Sequence, residues 1–169
     1  MRLLRQLVFA LLVTTGSLHA WAAAGDEEFD QGYDAFVSRD YAEAVQWWEK
    51  AAEKGHARAQ NGLGVLHRDG DLGEPDKKAA AYWFRRSAEN GYVYAMYSLG
   101  LLYRDGDGVM RDDIEAHKWF NLASALNFDP KAQFQRDLIA RRMSAEAVAE
   151  AEKRAQEWLN AFFFGGASV

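Results

Sequence analysis

The sequence feature that most limits the fold of this chain is a repeat with a period of 36 residues. Three tryptophans, Trp47, Trp83 and Trp119, follow one another at this interval. Residues 55–90 align with residues 91–126 without a gap, and the two segments share 13 identical positions. Repeats of roughly 20 to 50 residues are typical of solenoids, in which each repeat is one supersecondary unit. The period therefore predicts a stack of similar units that share one continuous core.

Each period contains two helical patterns, which predicts an all-α chain with eight helices and no strand. The second pattern starts at Asp76 or Asp112, and Asp is a favoured N-cap residue. Its apolar stripe includes Trp47, Trp83 and Trp119, so we expect all three tryptophans to belong to the core. In the first pattern apolar residues recur at i, i+4 and i+7, which places them on one face of a helix. They are Ala59, Leu63 and Leu66 in one unit and Ala95, Leu99 and Leu102 in the next.

Glycine stands in the middle of the first helix of two units, at Gly64 and Gly100. A glycine at such a position costs about 1 kcal/mol relative to alanine. We expect the compensation to be the close approach of a neighbouring helix backbone, which a side chain would block. The two glycines therefore mark a predicted tight helix contact in each unit.

The units differ at the two ends of the repeat. The first unit is shortened, because its inter-helix turn at Ser38-Arg39 is tight, whereas the later units carry a longer loop. Downstream, the period stops at Asp129-Pro130, and Pro is favoured at the first position of a helix. Ser144 then caps a last helix, and a terminal cap is what covers the last apolar face of a solenoid. The predicted organisation is a solenoid domain over 25–160, with units at 29–54, 55–90 and 91–126 and a capping helix pair at 129–163, followed by a tail at 164–169.

Residues 1–24 differ in composition from the rest of the chain. A basic start precedes an unbroken apolar run at residues 7–13, and small residues with three final alanines lead into an acidic stretch. This layout predicts a secretory signal peptide that is cleaved near Ala24, with Ala20 or Ala22 as alternative ends. An N-terminal membrane anchor is disfavoured, because a spanning helix needs about 20 apolar residues. The mature chain is therefore expected to be periplasmic or secreted.

The charge of the chain disfavours some classes of partner, and its lack of cysteine excludes several kinds of site. Removal of residues 1–24 leaves 18 bases and 25 acids, a net charge of −7. An acidic chain is poorly suited to nucleic acids or anionic lipids, so we expect no nucleic-acid partner and no membrane insertion of the mature chain. The absence of cysteine excludes disulfides, thiolate zinc sites, cysteine nucleophiles and lipoprotein acylation.

The repeat resembles that of the Sel1-like repeat family, which is related to the tetratricopeptide repeats. In the middle unit His67 replaces the family's tyrosine, and Leu72-Gly73 replaces its Gly-Val pair. The resemblance spans residues 29–160 and implies a right-handed α-solenoid whose concave face binds proteins or peptides. Exported bacterial members are viewed as scaffolds, regulators or adaptors in the cell envelope. The third unit matches the family motif through Ala95, Leu99, Gly100, Tyr103, Gly106, Gly108, Val109, Asp112, Ala116, Trp119 and Ala123.

Motifs for catalysis or cofactor binding are missing from the sequence. Asp105-Gly106-Asp107 resembles the start of a calcium loop, but Val109 and Ala116 stand where oxygen ligands are required. The histidines are not spaced for metal ligation, and no serine lies in a nucleophile motif. We therefore predict no metal site, no cofactor and no catalytic residue.

The surface that breaks the repeat symmetry is the best candidate for an interface, because core positions repeat and binding positions need not. The first helix of each unit is expected to line the concave side, and Tyr and Arg are common interface anchors. The alternative is that Tyr94 and Tyr97 pack onto the third unit or the capping helices. The three phenylalanines of 162–164 cannot all face one side of a helix, so at least one is expected to be exposed unless the tail folds back. The predicted partner-binding residues are Arg58, Asn61, Tyr94, Tyr97, Leu101 and Arg104.

The function expected from the sequence is that of a non-enzymatic adaptor or regulator in the bacterial envelope, which presents a groove to a partner protein or peptide. One alternative is an enzyme or ligand-binding protein acting on peptidoglycan or β-lactams, because some cysteine-rich relatives bind or hydrolyse β-lactams. Those relatives carry a disulfide in each repeat, which this chain lacks. A further alternative is an inhibitor of a toxin or an envelope enzyme.

Overall fold

The computed structural model describes residues 25–127 and 130–165, which form eight α-helices and no β-strand. Within a unit α1 packs on α2, α3 on α4 and α5 on α6, and successive units meet through α2–α3 and α4–α5. The predicted all-helical repeat fold is thereby confirmed. The predicted signal peptide and the last four residues of the predicted tail lie outside the described residues. The helices are α1 (Asp26–Val37), α2 (Tyr41–Glu53), α3 (Ala57–Asp69), α4 (Lys77–Glu89), α5 (Val93–Asp105), α6 (Asp113–Asn127), α7 (Pro130–Ala140) and α8 (Ala145–Phe164).

The helix boundaries follow from local capping chemistry. The carboxylates of Asp40, Asp76 and Asp112 each accept a hydrogen bond from the backbone N–H three residues later, at 3.0, 2.9 and 3.0 Å. Helices α3 and α5 end at Gly70 and Gly106, whose φ angles of 79° and 76° suit glycine. The predicted starts of the second helices at Asp76 and Asp112 are therefore confirmed.

Gly64 and Gly100 allow an aromatic ring of the second helix to lie against the first helix of the same unit. A Cβ atom at either glycine would lie 2.7 Å from a ring carbon of Phe84 or Phe120. The predicted approach of a helix backbone is wrong, because the approaching group is a side-chain ring. The ring occupies the space of the missing side chain, which explains why glycine is kept inside a helix.

The recurring tryptophans are not equivalent in burial. Trp119 is 3% exposed, whereas Trp47 and Trp83 are half-buried. Trp83 still packs against the core cluster that contains Trp48 and Leu63, so the expected place in the core is wrong for Trp47 but not for Trp83. Trp119 is covered by α8, whose Trp158 ring lies edge-on with its centroid 6.3 Å away. Successive helix residues point in directions about 100° apart. The residue directly after each of these tryptophans faces the first helix of its unit. These residues are Trp48, Phe84 and Phe120.

The two capping helices both pack on α6 rather than on each other. Ile139 of α7 is buried in one cluster with Phe120 of α6. Ala151 and Ala155 of α8 are buried, and Ala155 shares the cluster of Trp119. Helix α6 is therefore covered on two sides, by one capping helix on each.

The end of α8 reaches back to the junction between the second and third units. Phe162 lies against Gly91, where a Cβ atom would be 2.6 Å from the phenylalanine ring. Phe163 and Phe164 are exposed, which agrees with the expectation for at least one of the three phenylalanines. Although α8 is 20 residues long, none of the described helices has the length and apolarity needed to cross a membrane.

Candidate interaction surface

Exposed apolar side chains concentrate on the first helices of the units. Helices α2, α4 and α6 contribute only Tyr82 to the large exposed hydrophobic residues of the described chain. We call the solvent-accessible residues of α1, α3, α5 and α7 the first-helix face. Its large exposed apolar residues are Tyr33, Val37, Tyr94, Phe134 and Leu138.

An apolar groove of about 200 Å³ lies between α1 and α3 on this face. A Cβ atom at Gly62 would lie 2.7 Å from the ring of Trp48, so this glycine lets the indole lie directly under α3. The indole Nε1 donates a hydrogen bond to the Phe29 carbonyl at 3.2 Å, which satisfies its polar atom. The groove therefore presents mainly apolar surface. The residues that line it are Phe29, Tyr33, Phe36, Trp48, Arg58, Asn61, Gly62 and Val65.

Two of the predicted binding residues, Arg58 and Asn61, lie in this groove. The guanidinium carbon of Arg58 lies 4.3 Å from the centroid of the Phe29 ring, a cation–π contact. No carboxylate among the described residues forms an ion pair with Arg58. The rim of the groove therefore has one accessible positive charge above an aromatic wall.

Tyr97 and Leu101 have a packing role. Both are half-buried and pack against the cluster that contains Ile139 of α7. The Tyr97 ring centroid lies 5.7 Å from that of Phe120. Tyr94, in contrast, is 59% exposed. Of the two tyrosines, only Tyr94 therefore offers most of its surface to a partner.

Arg104 is held by neighbours on both sides. Its guanidinium donates to Gln135 Oε1 of α7 at 2.7 Å and forms a 2.6 Å ion pair with Asp105. The hydrogen bond from Arg104 lowers the pKa of the Asp105 carboxyl below its usual value. Arg104 thus links α5 to the capping region, and its charge is already compensated.

Tyr33 and Phe134 belong to the first-helix face but are absent from the predicted set. Phe134 lies two residues after the buried Ala132, which places it on the opposite side of α7, so helical periodicity could have identified it. Tyr33 gave no such signal, because it is four residues after the buried Phe29 and follows the apolar stripe of α1. Its ring stacks on Phe29 and lines the open groove between α1 and α3, which leaves about half of its surface exposed.

The buried histidines have structural partners or packing roles. The Nδ1 atom of His56 accepts the Ala59 N–H at 3.1 Å, and its Nε2 lies 3.0 Å from Asp26 Oδ1. Burial lowers the pKa of His56. His117 is 2% exposed, and burial lowers its pKa as well. Within residues 25–127 and 130–165 no three His, Asp or Glu residues come together as a possible metal site.

This repeat geometry is shared with known proteins. The family model described as Sel1 repeat matches residues 21–56, 57–92 and 93–128, each 36 residues long. The chain belongs to the Sel1 repeat family. Proteins with Sel1 repeats generally mediate protein–protein interactions and are generally non-enzymatic. Comparison with curated proteins gave no match.

Two solved structures have the same fold as this Sel1 repeat protein. One is a protective antigen of uropathogenic Escherichia coli strains with an SLR fold, which is 29% identical and superposes with a TM-score of 0.76. The alignment covers 83% of this chain but only 31% of the antigen, so this chain spans about a third of it. The other is a Sel1 repeat protein from Oxalobacter formigenes, 31% identical, with a TM-score of 0.61 and coverage of 72% and 95%.

Proposed function

We propose that this Sel1 repeat protein is a non-enzymatic adaptor or regulator of the bacterial cell envelope. It binds a protein or peptide partner on the first-helix face, the side that is expected to be concave by analogy with tetratricopeptide solenoids. The observation that carries the proposal is the concentration of exposed apolar side chains on α1, α5 and α7, next to the groove between α1 and α3. Apolar patches of this kind are typical of interaction sites.

The groove between α1 and α3 suits an apolar anchor of the partner. Packing and hydrogen bonding fix its lining, since Trp48 is 4% exposed and its indole N–H donates a hydrogen bond to the Phe29 carbonyl. A preorganised groove loses little conformational freedom on binding, so a short peptide segment can be held there. Arg58 at the rim adds a charged donor that orients the segment.

The envelope location is supported by the amino-acid pattern of residues 1–24. That segment has the basic start, apolar run and small-residue end of a secretory signal peptide. Fractionation of cells that express the full chain is expected to place the protein outside the cytoplasm. N-terminal sequencing of that protein is expected to begin at Gly25, and a protein that retains Met1 in the cytoplasm would refute this part of the proposal.

Partner binding is tested by crosslinking in intact cells with a tagged full-length chain, followed by mass spectrometry of the captured proteins. Two substitutions on the first-helix face, Tyr33→Asp and Tyr94→Asp, are each expected to reduce capture of the dominant partner at least about tenfold, an effect of about 1.4 kcal/mol. Both residues are more than half exposed, so the melting temperature is expected to change little.

The matched control is Met110→Asp, because Met110 is a large apolar side chain that is 86% exposed and lies in the loop before α6. Capture by this variant is expected to equal that of the unchanged chain. If Met110→Asp and Tyr94→Asp reduce capture equally, the first-helix face is not the binding site. If neither tyrosine variant changes capture, the site lies elsewhere on the chain.

A further inference from the structure

Helix α4 is a basic helix in an acidic chain. Residues 25–169 carry a net charge of −7, yet α4 contains four bases and one acid. None of these four bases takes part in an ion pair of the described residues. Direct ion pairs within the described residues therefore do not neutralise the bases of α4. Its charged residues are Lys77, Lys78, Arg85, Arg86 and Glu89.

Two of the bases are held in place by tyrosines. Arg85 donates to the Tyr103 hydroxyl at 2.6 Å, and Arg86 donates to the Tyr82 hydroxyl at 3.1 Å. The Arg86 guanidinium also lies 5.6 Å from the Trp83 ring centroid. A neutral hydroxyl accepts a hydrogen bond without cancelling the positive charge. The two guanidinium groups are thus oriented and retain unused donors for a carboxylate.

These arginines share a face of α4 with exposed aromatic surface. Tyr82, Arg85 and Arg86 stand at i, i+3 and i+4, which places them on one side of the helix. Tyr82 is 55% exposed, and its ring packs edge-on against Trp83 with centroids 5.0 Å apart. We call the face formed by Tyr82, Trp83, Arg85 and Arg86 the outer face of α4. It combines apolar contact area with two fixed positive charges.

In the third unit, the equivalent face of α6 is covered by a helix of the chain itself. One period after Trp83 is Trp119, which α8 covers through Trp158. Arg154 of α8 forms an ion pair with Glu115 of α6 at 3.0 Å. The chain therefore already uses one helix, bearing an aromatic residue and a charge, to cover the equivalent face of α6.

The sequence difference between the two faces changes the charge that a covering helix must carry. Leu122 of α6 is fully buried, and one period earlier the residue is Arg86. Glu115 of α6, which pairs with a base of α8, corresponds to Ala79. A helix that covers α4 therefore meets Arg85 and Arg86 where α6 presents Asn121 and Leu122, and it meets Ala79 where α8 meets Glu115. It needs carboxylates in place of a base.

We propose that the outer face of α4 binds an acidic helical segment of a partner protein, with an aromatic or aliphatic residue against Tyr82 and Trp83 and carboxylates on Arg85 and Arg86. This surface is separate from the first-helix face and gives the protein a second docking site. A protein segment fits better than an anionic membrane, because an extended anionic surface faces the whole chain with its net charge of −7, whereas a single helix faces mainly the basic helix α4. Each Arg guanidinium also has the fork geometry that matches the two oxygens of one carboxylate.

The probe is a labelled 20-residue peptide with the sequence of residues 145–164 and the substitutions Lys153→Glu and Arg154→Glu. The comparison probe is the same peptide with the natural Lys153 and Arg154. Fluorescence anisotropy with the full mature chain is expected to show that the acidic peptide binds at least about tenfold more tightly than the natural one. Its binding is expected to weaken as the salt concentration rises.

The double variant Arg85→Glu/Arg86→Glu is expected to lose at least about tenfold in affinity for the acidic peptide, since each reversed charge repels it. The milder variant Arg86→Gln keeps a polar side chain and is expected to show a smaller loss in the same direction. Arg141→Glu is the matched control, because Arg141 is an exposed arginine in the turn after α7, and this variant is expected to bind like the unchanged chain. Circular dichroism melts show whether each variant is folded.

Three results would overturn the proposal. The first is equal binding of the acidic and natural peptides. The second is unchanged binding by a folded Arg86→Gln variant and a folded double variant. The third is binding to phosphatidylglycerol vesicles without binding to the acidic peptide, which would assign the face to an anionic lipid. Partner capture through Tyr33 and Tyr94 is measured in a separate experiment. A negative result for one of the two docking sites therefore does not affect the test of the other.

Discussion

The second and third units have the same sequence pattern but different neighbours. Trp83 and Trp119 occupy the same repeat position, and each follows an Asp-capped helix start by seven residues. Trp83 is half-buried with Arg86 beside its ring, whereas Trp119 is 3% exposed under α8. The repeat therefore determines where a side chain points, and the next element to pack on it determines whether it belongs to the core.

The largest expected difference between the units is in the response to removal of the tryptophan ring. Trp119→Ala is expected to lower the free energy of unfolding by about 3–5 kcal/mol, as for a fully buried aromatic residue. Trp83→Ala is expected to cost about 1–2 kcal/mol, because part of its ring is already in solvent. Urea unfolding followed by circular dichroism measures both values.

The role of α8 in this difference is tested by repeating both substitutions in a Trp158→Ala background. The cost of Trp119→Ala is expected to fall there, because the two rings are in contact, while that of Trp83→Ala is unchanged. Equal costs for the two tryptophans in the unchanged chain would show that α8 does not account for the burial of Trp119.

A smaller effect, equal in both units, is expected for Gly64→Ala and Gly100→Ala. Each new Cβ atom would lie 2.7 Å from a phenylalanine ring carbon, so each substitution is expected to cost about 1–3 kcal/mol by overpacking. Because alanine inside a helix gains about 1 kcal/mol over glycine, the net loss is expected to be up to about 2 kcal/mol. Chemical denaturation measures both variants.

The control for this pair is Phe84→Leu, which makes room for the new methyl group in the second unit alone. Gly64→Ala is expected to cost less in that background, and Gly100→Ala is expected to cost the same. A stabilising effect of either alanine in the unchanged chain would contradict the close ring contact.

The smallest effect is the pH dependence of stability that His117 adds in the third unit. His117 replaces Ala81 of the second unit, and burial lowers its pKa. The unfolded chain then binds more protons than the folded chain below a pH of about 6.5, so stability falls as the pH falls through that value. His117→Ala restores the residue of the second unit and is expected to flatten this part of the stability curve.

Unfolding curves recorded at several pH values between neutral and mildly acidic conditions check this prediction. His56, whose pKa is also lowered by burial, contributes in the same direction and persists in the variant. The slope is therefore expected to decrease without disappearing. An unchanged slope in His117→Ala would show that His117 is protonated equally in the folded and unfolded chains.

Much of the fold could be predicted because it depends on local sequence. Aspartates at 40, 76 and 112 start helices through their own backbone neighbourhood, and glycines at 70 and 106 end them. The candidate interface was less predictable. Arg58, Asn61 and Tyr94 lie on accessible surface, but Tyr97 and Leu101 are engaged by α7. Whether they bind a partner stays a prediction.

The sequence by itself determined the helices, their caps and the 36-residue repeat, because hydrophobic periodicity and capping act over a few residues. Only the tertiary structure decided that α7 and α8 each cover α6, that Trp47 and Trp83 remain partly exposed, and that a ring rather than a backbone approaches Gly64. These features depend on which apolar face is covered by an element distant in sequence. Burial is a property of the packed neighbours, and a repeating local pattern does not specify them.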